Sequence, residues 1–99
     1  MTEKTDQNIT LPSSDIWDRV TKLAITEDKP IKLDYWLDSL ENKVIIGVRE
    51  NNEKLLVKSE DEYTSPIEKI YKLNETYILC TENSIYVTKS TIPSKRITT

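Results

Sequence analysis

The 99-residue sequence contains no histidine, no phenylalanine, one cysteine and one glycine. Without histidine the chain cannot form a Ser-His-Asp or Cys-His catalytic centre, and it lacks the usual general base near neutral pH. One cysteine, Cys80, cannot build a zinc site or an internal disulfide. Gly47, the only glycine, cannot supply a P-loop or a glycine-rich dinucleotide loop. These absences predict a protein that is not an enzyme and that holds no cofactor or metal.

Long apolar runs are also missing from the sequence. None approaches the roughly 18 residues of a membrane-spanning helix, and the polar N-terminal stretch has no signal-peptide core. An unpaired cysteine suits a reducing compartment, so we expect a cytoplasmic protein with no membrane partner. The net charge of -3 argues against a general nucleic-acid binder, which needs a basic surface to replace counterions.

Length and composition indicate one domain with polar ends. Residues 1–12 contain few apolar side chains and are predicted to be a disordered arm. Residues 13–89 carry regular apolar patterns and are predicted to form a single globular domain. Residues 90–99 are polar and slightly basic, and we expect a flexible tail.

The first apolar pattern predicts a helix over residues 14–25. Ile16, Val20, Leu23 and Ala24 follow the i, i+4, i+7, i+8 spacing that places one stripe on one helix face. A serine just before this stretch can cap the first turn. Because helices this short are marginal alone, the stripe must pack on another part of the chain.

The following residues indicate strands. Apolar and polar residues alternate over 31–38, which predicts a strand with Trp36 on its polar face. Five more strands, separated by turns of two or three residues, are predicted at 44–50, 53–59, 63–73, 76–81 and 84–89. Pro66 interrupts the third of these and indicates an edge or a bulge, because proline cannot donate to a strand ladder.

This element order predicts a mainly β (α+β) fold. An N-terminal helix would precede a six-stranded antiparallel meander, folded as a small SH3-like barrel or a strongly bent sheet. An open antiparallel sheet with the helix on one face is the alternative. Two similar stretches, residues 52–63 and 74–86, are interpreted as hairpins built from the same residue types, which is not evidence of a duplicated site.

Carboxylates are the remaining candidates for chemistry. Asp34 and Asp38 flank Trp36 on the predicted polar strand face, an arrangement that could serve a glycosidase-like or hard-cation site. A solvated strand face explains the same pattern more simply. The acidic run at 59–63 is likewise interpreted as a turn, and Cys80 as a small buried hydrophobe. A carboxylate-based enzyme therefore stays an alternative.

By elimination we predict a small protein-interaction module, either a regulatory protein or an accessory subunit, that contacts another protein or itself. Its surface would be aromatic or would be an edge strand. The candidate partner-binding residues are Trp17, Trp36, Asp34, Asp38 and Pro66.

A β-barrel that binds single-stranded nucleic acid is the alternative function. Such proteins stack bases on aromatic side chains within a positively charged surface. The candidate residues for this function are Tyr77, Tyr86, Lys89, Lys95 and Arg96.

Overall fold

The computed structural model of the protein describes residues 11–98, which form two helices and eight strands. The elements in chain order are α1 Ser14–Glu27, β1 Ile31–Lys32, α2 Trp36–Leu40, β2 Ile45–Val48, β3 Lys54–Ser59, β4 Glu62–Tyr63, β5 Ile67–Leu73, β6 Thr76–Thr81, β7 Ile85–Lys89 and β8 Ser94–Arg96.

The strands form two four-stranded sheets. Sheet 1 has the order β1-β7-β6-β5, and sheet 2 has the order β4-β3-β2-β8. The pairs β1–β7 and β2–β8 are parallel, and the other pairs are antiparallel. The fold is mainly β, as predicted. Each sheet has two edges, so residues 11–98 form no closed barrel, and neither the SH3-like barrel nor the six-stranded meander is confirmed.

The chain moves between the sheets three times. It leaves sheet 1 after β1 and enters sheet 2 at β2, with α2 on the connection. Residues 64–66, which include Pro66, return it to sheet 1, and residues 90–93 carry it back to β8 in sheet 2. Each sheet therefore gains a parallel edge strand from a distant part of the sequence.

Sheet 1 is the middle of three layers. One of its faces packs against α1 and part of α2 through a first core, which consists of Ile16, Val20, Trp36, Ile78, Cys80, Ile85 and Val87. The other face packs against sheet 2 through a second core, which consists of Tyr35, Val44, Ile46, Leu56, Leu79 and Ile92. Strand β6 contributes to both cores, because successive side chains of a strand point to opposite faces.

The predicted helix is confirmed and extends to Glu27. Its end requires a residue in the left-handed region, and Asp28 takes that conformation with φ 56°. Three asparagines, Asn42, Asn52 and Asn74, have φ values of 58° to 70° at other chain reversals. Asparagine and aspartate tolerate this region better than other non-glycine residues. They therefore form the chain reversals in a sequence that has only one glycine.

The strand predicted over 31–38 is wrong beyond its first two residues. Strand β1 ends at Lys32, and α2 begins at Trp36. Leu33, Trp36 and Leu40 all pack in the first core, and their i, i+3, i+7 spacing is that of a helix face. The alternating pattern concealed this spacing because Tyr35 also contacts a core, on the opposite side of sheet 1.

The C-terminal segment also differs from the prediction of a flexible tail over 90–99. Ile92 is buried in the second core, and β8 pairs with β2 in parallel. Residues 1–10 of the predicted N-terminal arm lie outside the described residues. The two similar stretches are indeed hairpins, since β3 pairs with β4 in sheet 2 and β6 pairs with β7 in sheet 1.

Gly47 allows the C-terminal segment to lie close to β2. A Cβ atom at this position would come within 2.7 Å of Ile97 Cδ1 and 3.0 Å of Val57 Cγ2. The backbone of Gly47 has a negative φ, so the steric contact, and not the conformation, selects glycine here.

We predict that Gly47→Ala destabilises the fold by about 1 kcal/mol, because overpacking costs more than the entropy that alanine removes from the unfolded chain. In an Ile97→Val background, which removes the nearest methyl group, the cost should be smaller. Urea unfolding of the two single variants and the double variant measures this difference. An equal cost in both backgrounds would contradict the position of Ile97 over Gly47.

Candidate interaction surfaces

The predicted partner-binding residues occupy different environments. Trp17 is half-buried on α1, and Asp34 is exposed in the turn before α2. Trp36 is only 4% exposed and belongs to the first core, so the expectation of an exposed tryptophan on a strand is wrong. Asp38 lies on α2, and Pro66 is half-buried just before β5. The structure thus does not gather these residues on one face.

Asp38 belongs to a polar and aromatic cluster where α2 meets sheet 2. Its carboxylate lies 3.0 Å from the Lys58 ammonium, which is 4.8 Å from the centre of the Tyr35 ring. Tyr35 meets Tyr86 edge to face, with ring centres 5.5 Å apart. The hydrogen bond to Asp38 raises the pKa of Lys58. The ion pair and the ring contacts therefore join α2, sheet 2 and sheet 1.

Tyr35 is the titratable group most affected by this cluster. Burial is the main cause that raises the pKa of Tyr35 to about 12, and the nearby negative groups Glu62 and Asp34 add to it. Tyr86 acts in the same direction. A phenol that stays protonated in this way stabilises the contact between α2 and the two sheets, and it cannot act as a base near neutral pH.

We predict that Tyr35 makes stability fall as the pH rises from about 10 to 12. The neutral phenol is favoured by folding, so its contribution is complete below the unfolded pKa of 10.0 and is lost through the folded pKa of about 12. The loss should be about 2–3 kcal/mol. Denaturant unfolding across this range, with Tyr35→Phe as the control, measures it. A tyrosinate absorbance titration with no late-ionising tyrosine would contradict the assignment.

The bulge that Pro66 indicates is present beside it. Ile67 pairs with Thr81 and Lys69 pairs with Cys80, so β5 has one extra residue, Glu68, at this point. Strand β5 lies at the edge of sheet 1 and pairs only with β6 within the described part of the chain. Pro66 thus stands where the chain both changes sheet and starts the edge strand.

Strand β5 is the longest edge in the structure of residues 11–98. It has seven residues, whereas the other three edge strands, β1, β4 and β8, have two, two and three. Three of its side chains are charged and exposed: Glu68, Lys69 and Lys72. Ile70 is 36% exposed, which places an apolar side chain in the middle of the edge.

Two charged side chains at the start of β5 form ion pairs with residues at the end of α1. Lys69 Nζ lies 3.4 Å from Glu27, and Glu68 lies 3.8 Å from Lys29, whose ammonium also donates to the carbonyl of Thr81 at 2.7 Å. These contacts connect the bulged end of β5 and the adjacent end of β6 to the end of α1. Beyond it, a shallow groove of about 340 Å³ runs between β5 and the start of β3, lined in part by Ile67 and Ile70.

The residues proposed for nucleic-acid stacking lie apart. The rings of Tyr77 and Tyr86 pack against the second core between the sheets. Lys89 lies in sheet 1 and contacts Glu75 at 3.5 Å. Lys95 and Arg96 lie on β8 in sheet 2, where the Arg96 guanidinium donates to the carbonyl of Arg49 at 2.9 Å. The tyrosines and the basic residues therefore form no common exposed face.

Cys80 faces the first core and is 1% exposed. Burial raises the pKa of its thiol, and this outweighs the opposing effect of Lys29. The described residues contain no group of three or more potential metal ligands. None of the helices within residues 11–98 is long and apolar enough to cross a membrane.

The sequence predicted an edge or a bulge at Pro66, but it did not predict that β5 is the longest edge strand within residues 11–98. Comparisons with models of known protein families, with curated protein sequences and with solved structures find no significant match to the chain.

Proposed function

We propose that the protein is a non-enzymatic interaction module that binds an extended segment of a partner protein along the β5 edge. The observation that carries this proposal is the seven-residue edge strand with Ile70 at its centre. An edge presents a row of N–H and C=O groups without strand partners, and a segment that adds as a further strand satisfies them. A regulatory or accessory role in the cytoplasm belongs to the same proposal.

The position of β5 supports this role. Its partner β6 is buried on both faces, with Ile78 and Leu79 both 0% exposed, so β5 is paired along its length with a strand of the core. A strand edge that is already in the bound conformation loses little entropy on binding. Backbone hydrogen bonds then contribute to affinity with little conformational cost.

The side chains of β5 restrict which segments can bind. Exposed Lys69 and Lys72 on the two faces of the strand disfavour a partner that places basic side chains opposite them, and Glu68 disfavours an acidic group beside it. Ile70 offers one apolar contact on the groove side. Edge charges of this kind prevent indiscriminate strand pairing while they permit a matched partner.

We predict that Ile70→Lys removes the binding partner and leaves the fold intact. The tagged protein, captured from native cell lysate with and without nuclease, should retain a stoichiometric protein that survives nuclease. The Ile70→Lys variant should lose it, because a lysine at the centre of the edge repels the added strand. Mass spectrometry and far-UV circular dichroism provide the two readouts.

The matched control is Ile25→Lys, an equal change on α1 at a side chain that is 77% exposed. It should retain the partner. Capture that is unaffected by Ile70→Lys would contradict binding at the β5 edge. Recovery that collapses with nuclease would contradict the interaction module and favour nucleic-acid binding.

A further inference from the structure

We infer that the β5 edge is occupied by the β5 edge of a second copy of this chain, antiparallel and with a two-fold axis at Ile70. This inference rests on the proposed function, since it names the partner of the same edge. It would join two four-stranded sheets into one continuous eight-stranded sheet. The sequence Ile67–Leu73, "IEKIYKL", contains the complementarity that supports it.

The symmetry fixes which residues can face each other. Two antiparallel edges in one sheet are related by a two-fold axis perpendicular to the sheet, and opposed residues then lie on the same sheet face. With the axis at Ile70, this residue faces Ile70 of the second copy. Lys69 faces Tyr71 on the helix side. The bulge at Glu68 places Ile67 on the sheet 2 side, whereas Leu73 lies on the helix side, so regular pairing does not extend to these outer residues.

The faces of these residues agree with this register around the axis. Ile70 pairs with Leu79 of β6. Because Leu79 belongs to the second core, Ile70 lies on the face of sheet 1 that is turned toward sheet 2. Lys69 pairs with Cys80 and Tyr71 pairs with Ile78, which places both on the helix side. Each Lys69 ammonium would therefore lie next to the Tyr71 ring of the other copy, in two equivalent cation–π contacts.

The other symmetric registers are unfavourable. An axis at Lys69 or at Lys72 places two ammonium groups face to face, and an axis at Glu68 opposes two carboxylates. An axis at Tyr71 places Lys72 opposite Ile70 and leaves Lys69 without an aromatic partner. A two-fold axis that passes between two residue positions would pair each residue with one whose side chain points to the opposite face of the sheet. The register at Ile70 is the one that opposes two isoleucines at the axis and places each Lys69 beside an aromatic ring.

The bulge at Glu68 limits the strength of this dimer. It ends the regular ladder next to Lys69, so each copy contributes a short run of regular pairing around the axis. Interfaces of this small size dissociate in the micromolar range, so we expect a dimer that forms with rising concentration.

The first measurement is sedimentation of the full chain at concentrations from about 10 to 300 µM, which spans the expected dissociation range. The wild-type protein should shift from monomer to dimer. Ile70→Asp should stay monomeric throughout, because the symmetry places its two carboxylates against each other. Ile25→Asp, the same change at an exposed residue of α1, should dimerise like the wild type.

The second measurement tests the register by oxidation of cysteine variants under native conditions. Opposed Cα atoms of antiparallel strands are about 4.5–5.5 Å apart, within the range of a disulfide, so Ile70→Cys should form a covalent dimer. Lys72→Cys should not, because its own symmetry mate would lie about 14 Å away along the ladder. The wild-type protein, whose Cys80 is buried, reports any background reaction.

The outcomes separate the dimer from the proposed function. A wild-type protein that stays monomeric at the highest concentration, with no Ile70→Cys cross-link, overturns the dimer. If that monomer still captures a different protein that Ile70→Lys loses, the edge function stands with another partner. Equal cross-linking of Lys72→Cys and Ile70→Cys overturns the register and with it the inference.

Discussion

Burial of β6 on both faces joins the helices to sheet 1 and sheet 1 to sheet 2. Ile78 and Cys80 face the helices, and Leu79 faces sheet 2, each at most 1% exposed. Burial of a side chain such as Ile78 or Leu79 contributes roughly 1.5–3 kcal/mol, so this one strand holds three layers together. Its neighbour β7 pairs with β1 on its other side, whereas its other neighbour, β5, lies at the edge of sheet 1. The proposed binding edge follows directly from this arrangement.

Local pattern predicted the elements that depend on local contacts. The helix stripe from Ile16, the short turns and the interruption at Pro66 identified α1, the bulge of β5 and strands β2, β3, β5, β6 and β7. Strand β4 was not identified, because the predicted strand 63–73 is divided between the two sheets. The parallel pairs β1–β7 and β2–β8 join segments about 50 residues apart, and nothing local marks them. The expected barrel is not confirmed, because consecutive strands do not all stay in one sheet. The apolar residues of 31–38 fit both the period of two of a strand and the spacing of a helix face. Residues 36–40 form a helix, which places Trp36 in the first core.

The candidate site depended even more on tertiary structure. Trp36 was singled out by residue type, yet burial removes its ring from the surface. Ile70 was overlooked because one isoleucine within a charged strand carries no signal until the strand order places β5 at an edge. Its neighbours Lys69 and Tyr71, a basic and an aromatic residue, are visible in the sequence. Their meaning required the knowledge that this strand has one open side.

Amide hydrogen exchange, resolved by residue and repeated at two protein concentrations, measures whether the β5 edge is open and whether a second copy occupies it. We expect slow exchange throughout β6 at both concentrations, because β6 is paired with a strand on each side. In β5, alternate amides should exchange rapidly in dilute protein and slowly in concentrated protein, since a second edge then covers them. Uniformly slow exchange along β5 in dilute protein would contradict an open edge. Fast β5 amides that do not respond to concentration would contradict its occupation by a second copy.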